Sequence, residues 1–199
     1  MRTQQNSGEG WKEESAAGRN NVVRAGVLVA MSTGMYILET FVPFPLPVGR
    51  WGFSNLPMLL ALYMLQLRHA VAIAVFKAFL GSMMVGSFLS IGFFMSLIGG
   101  LGAVLSMKCV LSLLKSRVGI LGISLLGAFI NNTSQIAVAA LAVHSEAPFF
   151  YYPYLVIMGS FSGAVNAYIT SRFLNLSFFV YEEGAKDGKI LAGFHDSGR

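Results

Sequence analysis

At 199 residues, with 55% hydrophobic side chains, 12% charged residues and a mean hydropathy of +0.64, the chain reads as one integral membrane domain with little soluble mass. A formal charge of +5 along such a chain suits anionic lipid headgroups or a cytoplasmic protein better than nucleic acid. Asp occurs only at Asp187 and Asp196, so the aspartate-rich magnesium sites of prenyl synthases cannot be built, and the sequence has neither a P-loop nor a Cys/His cluster. No enzyme activity, cofactor or metal is expected.

A helical crossing of the bilayer needs about 20 apolar residues, or ~17 at the short end. Six segments meet that pattern, at about 22–40, 53–67, 70–86, 90–114, 118–143 and 152–176. The expected fold is therefore an all-α, six-helix transmembrane bundle over 21–180, between polar tails at 1–20 and 181–199 that are expected to be mobile. The first twenty residues hold no apolar core, so no cleaved signal peptide is expected before the first helix.

With both termini in the cytoplasm, twelve of the fourteen Lys and Arg residues fall on the cytoplasmic side; Arg50 is outside and Lys77 lies within the third helix. Cationic loops are retained in the cytoplasm during insertion, so this topology is the consistent one. The implied address is the plasma (inner) membrane.

Between the first two helices, Pro43, Pro45 and Pro47 at alternate positions forbid a helix and favour an extended strand, either a lid over a cavity or a stiff connector. Trp51 follows at headgroup level. Only Arg68 and His69 join the second and third helices, which predicts a tight cytoplasmic hairpin. Small residues one turn apart, at Ser96 and Gly100, Gly99 and Ala103, and Gly159 and Gly163, predict close helix packing. Gly26 and Ala30 form the pair expected to face outward and dock another membrane subunit. The lone Cys109 reads as a small buried hydrophobe. The aromatic run from Phe149 to Tyr154 reads as an interface anchor.

Polar groups inside a membrane call for a partner or a role. Lys77 lies roughly 12 Å above the cytoplasmic edge of its helix at about 1.5 Å per residue, and Asn166 falls at a similar depth. Asn131, Asn132 and Gln135 occupy the middle and outer part of the fifth helix, while Glu39 and Asn55 are expected at outer helix ends. The set describes a polar interior widening outward. Interhelical hydrogen bonds explain the four amides of helices five and six as readily as ligand contact does. All seven are candidate substrate-binding residues.

Several fragments recur in order from Arg24 to Leu174: Leu38-Glu39-Thr40, Trp51-Gly52-Phe53-Ser54-Asn55-Leu56, Leu60-Ala61-Leu62-Tyr63, Phe76-Lys77-Ala78-Phe79-Leu80-Gly81-Ser82, Ser96-Leu97-Ile98-Gly99-Gly100 and Gly127-Ala128-Phe129-Ile130-Asn131-Asn132-Thr133-Ser134-Gln135. This series resembles the Gx transporter family, also labelled heptaprenyl diphosphate synthase component I. Lys77 stands where the family usually has arginine, and Asn131 where histidine is common. The family in turn is similar to the substrate-binding S components of energy-coupling factor (ECF) transporters. That similarity implies six helices, an outward pocket capped by the first loop, and first-helix small residues that dock a coupling subunit carrying cytoplasmic ATPases. In this chain the usual alanine pair falls at Ala25 and Val29, a register displaced by one from Gly26 and Ala30.

The leading expectation is thus a bilayer-embedded subunit that captures a small polar or anionic metabolite for an ATP-driven importer. The alternative is a non-catalytic membrane partner of a prenyl synthase subunit in isoprenoid and quinone synthesis. A subunit of a flavin or quinone electron-transfer assembly is the third reading.

Overall fold

The computed structural model describes the backbone over residues 5–42, 50–114 and 117–196, and side chains over 18–42, 50–114 and 117–176. Six α-helices follow one another: α1 (Gln5–Phe41), α2 (Leu56–Met64), α3 (Leu67–Val85), α4 (Ile91–Leu114), α5 (Ile120–Val143) and α6 (Tyr152–Asp196). Single 3-10 turns sit at Phe53–Asn55 and Ala147–Tyr151. The proline-rich stretch at 43–49, expected to form a lid or connector, lies outside the described residues. Helical backbone continues from the bundle into both terminal stretches, since α1 starts at Gln5 and α6 runs to Asp196.

Among the described residues, four segments are long and apolar enough to cross a bilayer: Gly18–Phe41, Leu67–Val85, Ile91–Leu114 and Ile120–Val143. The chain is an all-helical, multi-pass membrane protein. The nine residues of α2 are too few for a crossing exposed to lipid. Its surroundings explain why that length suffices. The middle of α1, at Gly18–Val23, shares a cleft with Arg68–His69 at the start of α3, and near the ends of both helices Tyr36 of α1 packs on Gly81 of α3. These two helices therefore run parallel, and the chain between them returns through the interior. Seven consecutive residues of α2, Leu56 to Leu62, are buried. A helix wrapped in protein need not match the thickness of the hydrocarbon.

The other helices wrap around α2 in the order α1, α3, α4, α5, α6, each packed on the next. Among the described residues, α6 does not pack on α1 as the other neighbours pack on each other; α2 and the 53–55 turn each touch both. Met58, Leu59 and Ala61 of α2, Ile73 and Ala74 of α3, and Val104 of α4 form the centre of the core.

The connection between α2 and α3 corrects the hairpin expected at Arg68 and His69. The turn is Leu65–Gln66, and both expected linker residues lie in the first turn of α3. Gln66 caps that helix, and its own N–H donates to His69 Nδ1 at 3.4 Å. At the other end, Gly86 takes the left-handed conformation (φ 72°) that lets the chain reverse toward α4. The Ser87 N–H then reaches back to the Ser82 carbonyl at 2.8 Å.

The small-residue pairs expected to pack internally do so. A Cβ on Gly99 would lie 2.7 Å from Asn131 Oδ1, and one on Gly159 would collide with Asn132 Nδ2. Gly100, the neighbour of Gly99, faces Ala74 and Lys77 of α3 instead. Gly26 and Ala30 differ from these pairs. Both are exposed on the outer face of α1, and nothing lies within 4 Å of where a Gly26 Cβ would stand. Cys109 is also exposed, on the outer face of α4, which corrects its reading as a buried hydrophobe.

Candidate ligand cleft and its buried polar network

The open seam between α1 and α6 contains a cleft of about 440 Å³. Met35, Leu38, Glu39 and Val42 line it from α1, Trp51 and Phe53 from the segment before α2, and Phe161 from α6. The four α1 residues recur at helical spacing and share one face. Leu38, Val42 and Phe161 are all exposed, so the cleft opens sideways, toward the bilayer side of the bundle. Its walls are aliphatic and aromatic apart from Glu39.

Glu39 is held by one residue. Its Oε1 accepts from the Ser54 N–H at 2.8 Å, and its Oε2 accepts from the Ser54 hydroxyl at 3.1 Å. Ser32 of α1 donates to the Ser54 carbonyl at 2.7 Å, so Ser54 is fastened to α1 through three polar atoms. The next residue, Asn55, accepts from Lys77 Nζ at 2.8 Å. Lys77 is only 2% exposed. A continuous chain of contacts therefore runs from the cleft to the core of α3, through Glu39, the Ser54-Asn55 dipeptide and Lys77.

Sequence reading placed Asn55 at the outer end of its helix, and it is the N-cap residue of α2. Its contact with Lys77 was not foreseen. Asn55 lies as many residues before the Gln66 turn as Lys77 lies after it, so the antiparallel hairpin brings both to one height. Glu39 lies within electrostatic reach of Lys77 and of Arg50. The Arg50 guanidinium rests over the Tyr36 ring, 4.1 Å from its centroid, a favourable site for a cation in a low-dielectric region.

Asn166 joins this network from α6, donating through Nδ2 to the Gly52 carbonyl at 3.1 Å. Gly52 holds φ at 88°, and a Cβ there would approach Ser162 Oγ at 3.2 Å. The left-handed turn and the close approach of α6 together require glycine at this position. Asn166 and Asn55 also line a closed cavity of about 10 Å³, the space of about one water.

The remaining substrate-binding candidates, Asn131, Asn132 and Gln135, form a separate group facing α4 and α6. Asn132 Nδ2 donates to the Leu155 carbonyl at 2.7 Å, while Asn131 and Gln135 press against Gly99. All three are 3% exposed, and none lines the 440 Å³ cleft. Of the seven sequence-based candidates, Glu39, Asn55, Lys77 and Asn166 thus converge on the 52–55 segment, and only Glu39 borders the cleft.

The two docking candidates stand apart from all of these. Gly26 and Ala30 lie below Met35 on α1, and neither Gly26 nor Ala30 lines the cleft or enters the polar network. Gly26 and Ala30 are both exposed and lie about one turn apart on the same face of α1.

Ser54, Phe53 and Phe161 were not singled out from sequence. Ser54 and Phe53 had a usable signal, because both lie inside the Trp51–Leu56 fragment. Phe161 is one apolar residue among many in α6 and had none.

The family model for heptaprenyl diphosphate synthase component I matches residues 28–173. The chain belongs to this family. It is the one also called the Gx transporter family, and the matched span runs from within α1 into α6, including every residue of the network and the cleft. Among solved structures, the fold is similar to an S component of a bacterial ECF transporter, with a TM-score of 0.42 and 17% identity over 81% of this chain and 97% of that chain. No curated protein matches the chain.

Proposed function

We propose that this protein is the ligand-binding subunit of a membrane uptake assembly, holding a small molecule in the cleft between α1 and α6. The observation that carries this reading is the cleft itself. It lies where the ring of helices stays open, and its one carboxylate is tied through Ser54 and Asn55 to Lys77. A ligand resting on Met35, Trp51, Phe53 and Phe161 would press on Glu39 and thereby shift the 53–55 turn against α3. In that way occupancy would be communicated to the bundle. The walls favour a ligand with a mainly apolar body rather than the small polar or anionic metabolite expected from sequence.

In this reading α2 and α6 complete six passes with both termini in the cytoplasm, and the exposed face of α1 at Gly26 and Ala30 receives a coupling subunit with its ATPases. Lys77, Asn55 and Asn166 position the turn beneath the ligand. Asn131, Asn132 and Gln135 hold α4, α5 and α6 together.

The test is purification in mild detergent from the native membrane, with mass spectrometry of the retained small molecules and proteins. Met35→Trp fills the cleft from a half-buried position. It is expected to lower retention of the co-purified molecule by at least about tenfold, on the order of 1.4 kcal/mol, while the protein stays monodisperse. Equal retention in that variant removes the cleft as the binding site.

A second reading rests on the family's printed description together with the apolar cleft: a non-catalytic membrane partner of a prenyl diphosphate synthase. Recovery of a soluble synthase subunit, in place of a coupling protein and ATPases, selects it.

A further inference from the structure

A second cleft lies beside the middle of α1, several turns before the first, and ligand capture between α1 and α6 makes no use of it. Gly18, Arg19, Val22 and Val23 of α1 and Arg68 and His69 of α3 enclose about 660 Å³ of open space. Arg19 and Arg68 line the same cleft, beside the apolar stretches of α1 and α3 that are long enough to cross a bilayer, so both cations stand on one side of the bundle. Arg19 is exposed, Arg68 borders the open cleft, and no lining residue is acidic.

The floor of this cleft is His69, nine-tenths buried. Its Nδ1 accepts the Gln66 N–H at 3.4 Å, so the neutral ring carries its proton on Nε2. A capped ring of this kind is locked as an Nε2–H donor. The N-terminus of α3, with its partial positive charge, lies at the same place. The wall above is different: Val22 and Val23 are each 65% exposed and continue into the exposed Val27.

We infer that this cleft is a binding site for one anionic phospholipid. Its phosphate lies between Arg19 and Arg68, with His69 as a third donor, and an acyl chain runs along Val22, Val23 and Val27. Two like charges facing one cleft repel each other unless an anion sits between them, and charge complementarity selects the headgroup. The apolar strip beside the cations selects an amphiphile over a soluble anion.

The experiment is native mass spectrometry of the delipidated full-length protein. It is titrated with phosphatidylglycerol or with phosphatidylcholine of the same acyl chains. The wild type is expected to bind the first lipid it takes up with a preference for phosphatidylglycerol. Arg19→Gln/Arg68→Gln is expected to lose about 10- to 30-fold of that preference, at about fivefold per cation near the surface. Neither arginine is part of the core, so the double variant keeps its packing, and an unchanged unfolding temperature in detergent verifies this. Arg24→Gln removes an equal charge from α1 outside the cleft and is expected to keep the preference. Three results would overturn the assignment: retained preference in the double variant, equal loss in Arg24→Gln, or full competition by millimolar glycerol phosphate. The last would reassign the cleft to a soluble anion.

Discussion

The half of the bundle built from α1, α2 and α3 and the half built from α4, α5 and α6 handle buried polarity in different ways. In the first half, Glu39 and Lys77 are charged or chargeable groups drawn together around the Ser54-Asn55 dipeptide, on a short 3-10 turn, with Arg50 stacked on Tyr36 nearby. In the second half the polar groups are neutral. Asn132 bonds to the Leu155 carbonyl and Ser124 to the Gly163 carbonyl at 2.7 Å, each across a helix pair brought close by glycine. The amide half is tightly closed, since the cavity it shares with α2 holds about 10 Å³, whereas the charged half borders 440 Å³. Buried charges need several partners at once and so favour an irregular backbone segment that can supply them. Such a segment leaves a gap in helix packing. Neutral amides carry no net charge to be balanced and allow helices to meet.

The sharpest way to break this contrast is to remove the partner of the buried ammonium. Asn55→Ala leaves Lys77 without its hydrogen-bond acceptor, and a loss of roughly 1.5–3 kcal/mol is expected. Thermal unfolding in detergent reads this directly. A loss no larger than that of an amide variant would show that the two halves do not differ in kind. Asn132→Ala is that comparison: an interhelical bond in a membrane protein contributes about 0.6 kcal/mol, with a ceiling near ~1.7. It should leave ligand retention unchanged, because Asn132 does not line the cleft. The smallest effects on stability are expected from Gly26→Leu, where the added side chain meets open space, and from Ala30→Leu on the same exposed face. Each variant should unfold as the wild type does while losing its membrane partner in pull-down. Retained partner binding in both would move the docking face away from α1.

How much of this was legible depends on the element. The starts and ends of α4 and α5 could be read to within a few residues, because lipid-facing helices need long apolar runs and Ile91–Leu114 and Ile120–Val143 supply them. The shortness of α2 was not legible. Its apolar run extends through Leu67, yet the helix stops at Met64, because Leu65 takes an extended conformation and the exposed Gln66 then caps α3. Asn55 does stand at the start of α2, but its meeting with Lys77 was not legible, because α2 begins inside the bundle, between the buried Ser54 and Leu56. Phe161 could not have been found, since its role depends on α6 standing away from α1.

By itself, the sequence determined that this is a multi-pass helical membrane protein of one family, and which few polar residues its interior must accommodate. Hydropathy and motif order are local properties, and the cost of a polar group in hydrocarbon arises wherever it sits. Only the tertiary structure decided which of those groups satisfy one another and which border a cleft. Hydrogen bonds of 2.8 Å, such as those from the Ser54 N–H to Glu39 and from Lys77 to Asn55, depend on which helices meet and at what height. That information resides in the parallel packing of α1 and α3 around a short α2, and in the seam left open between α1 and α6.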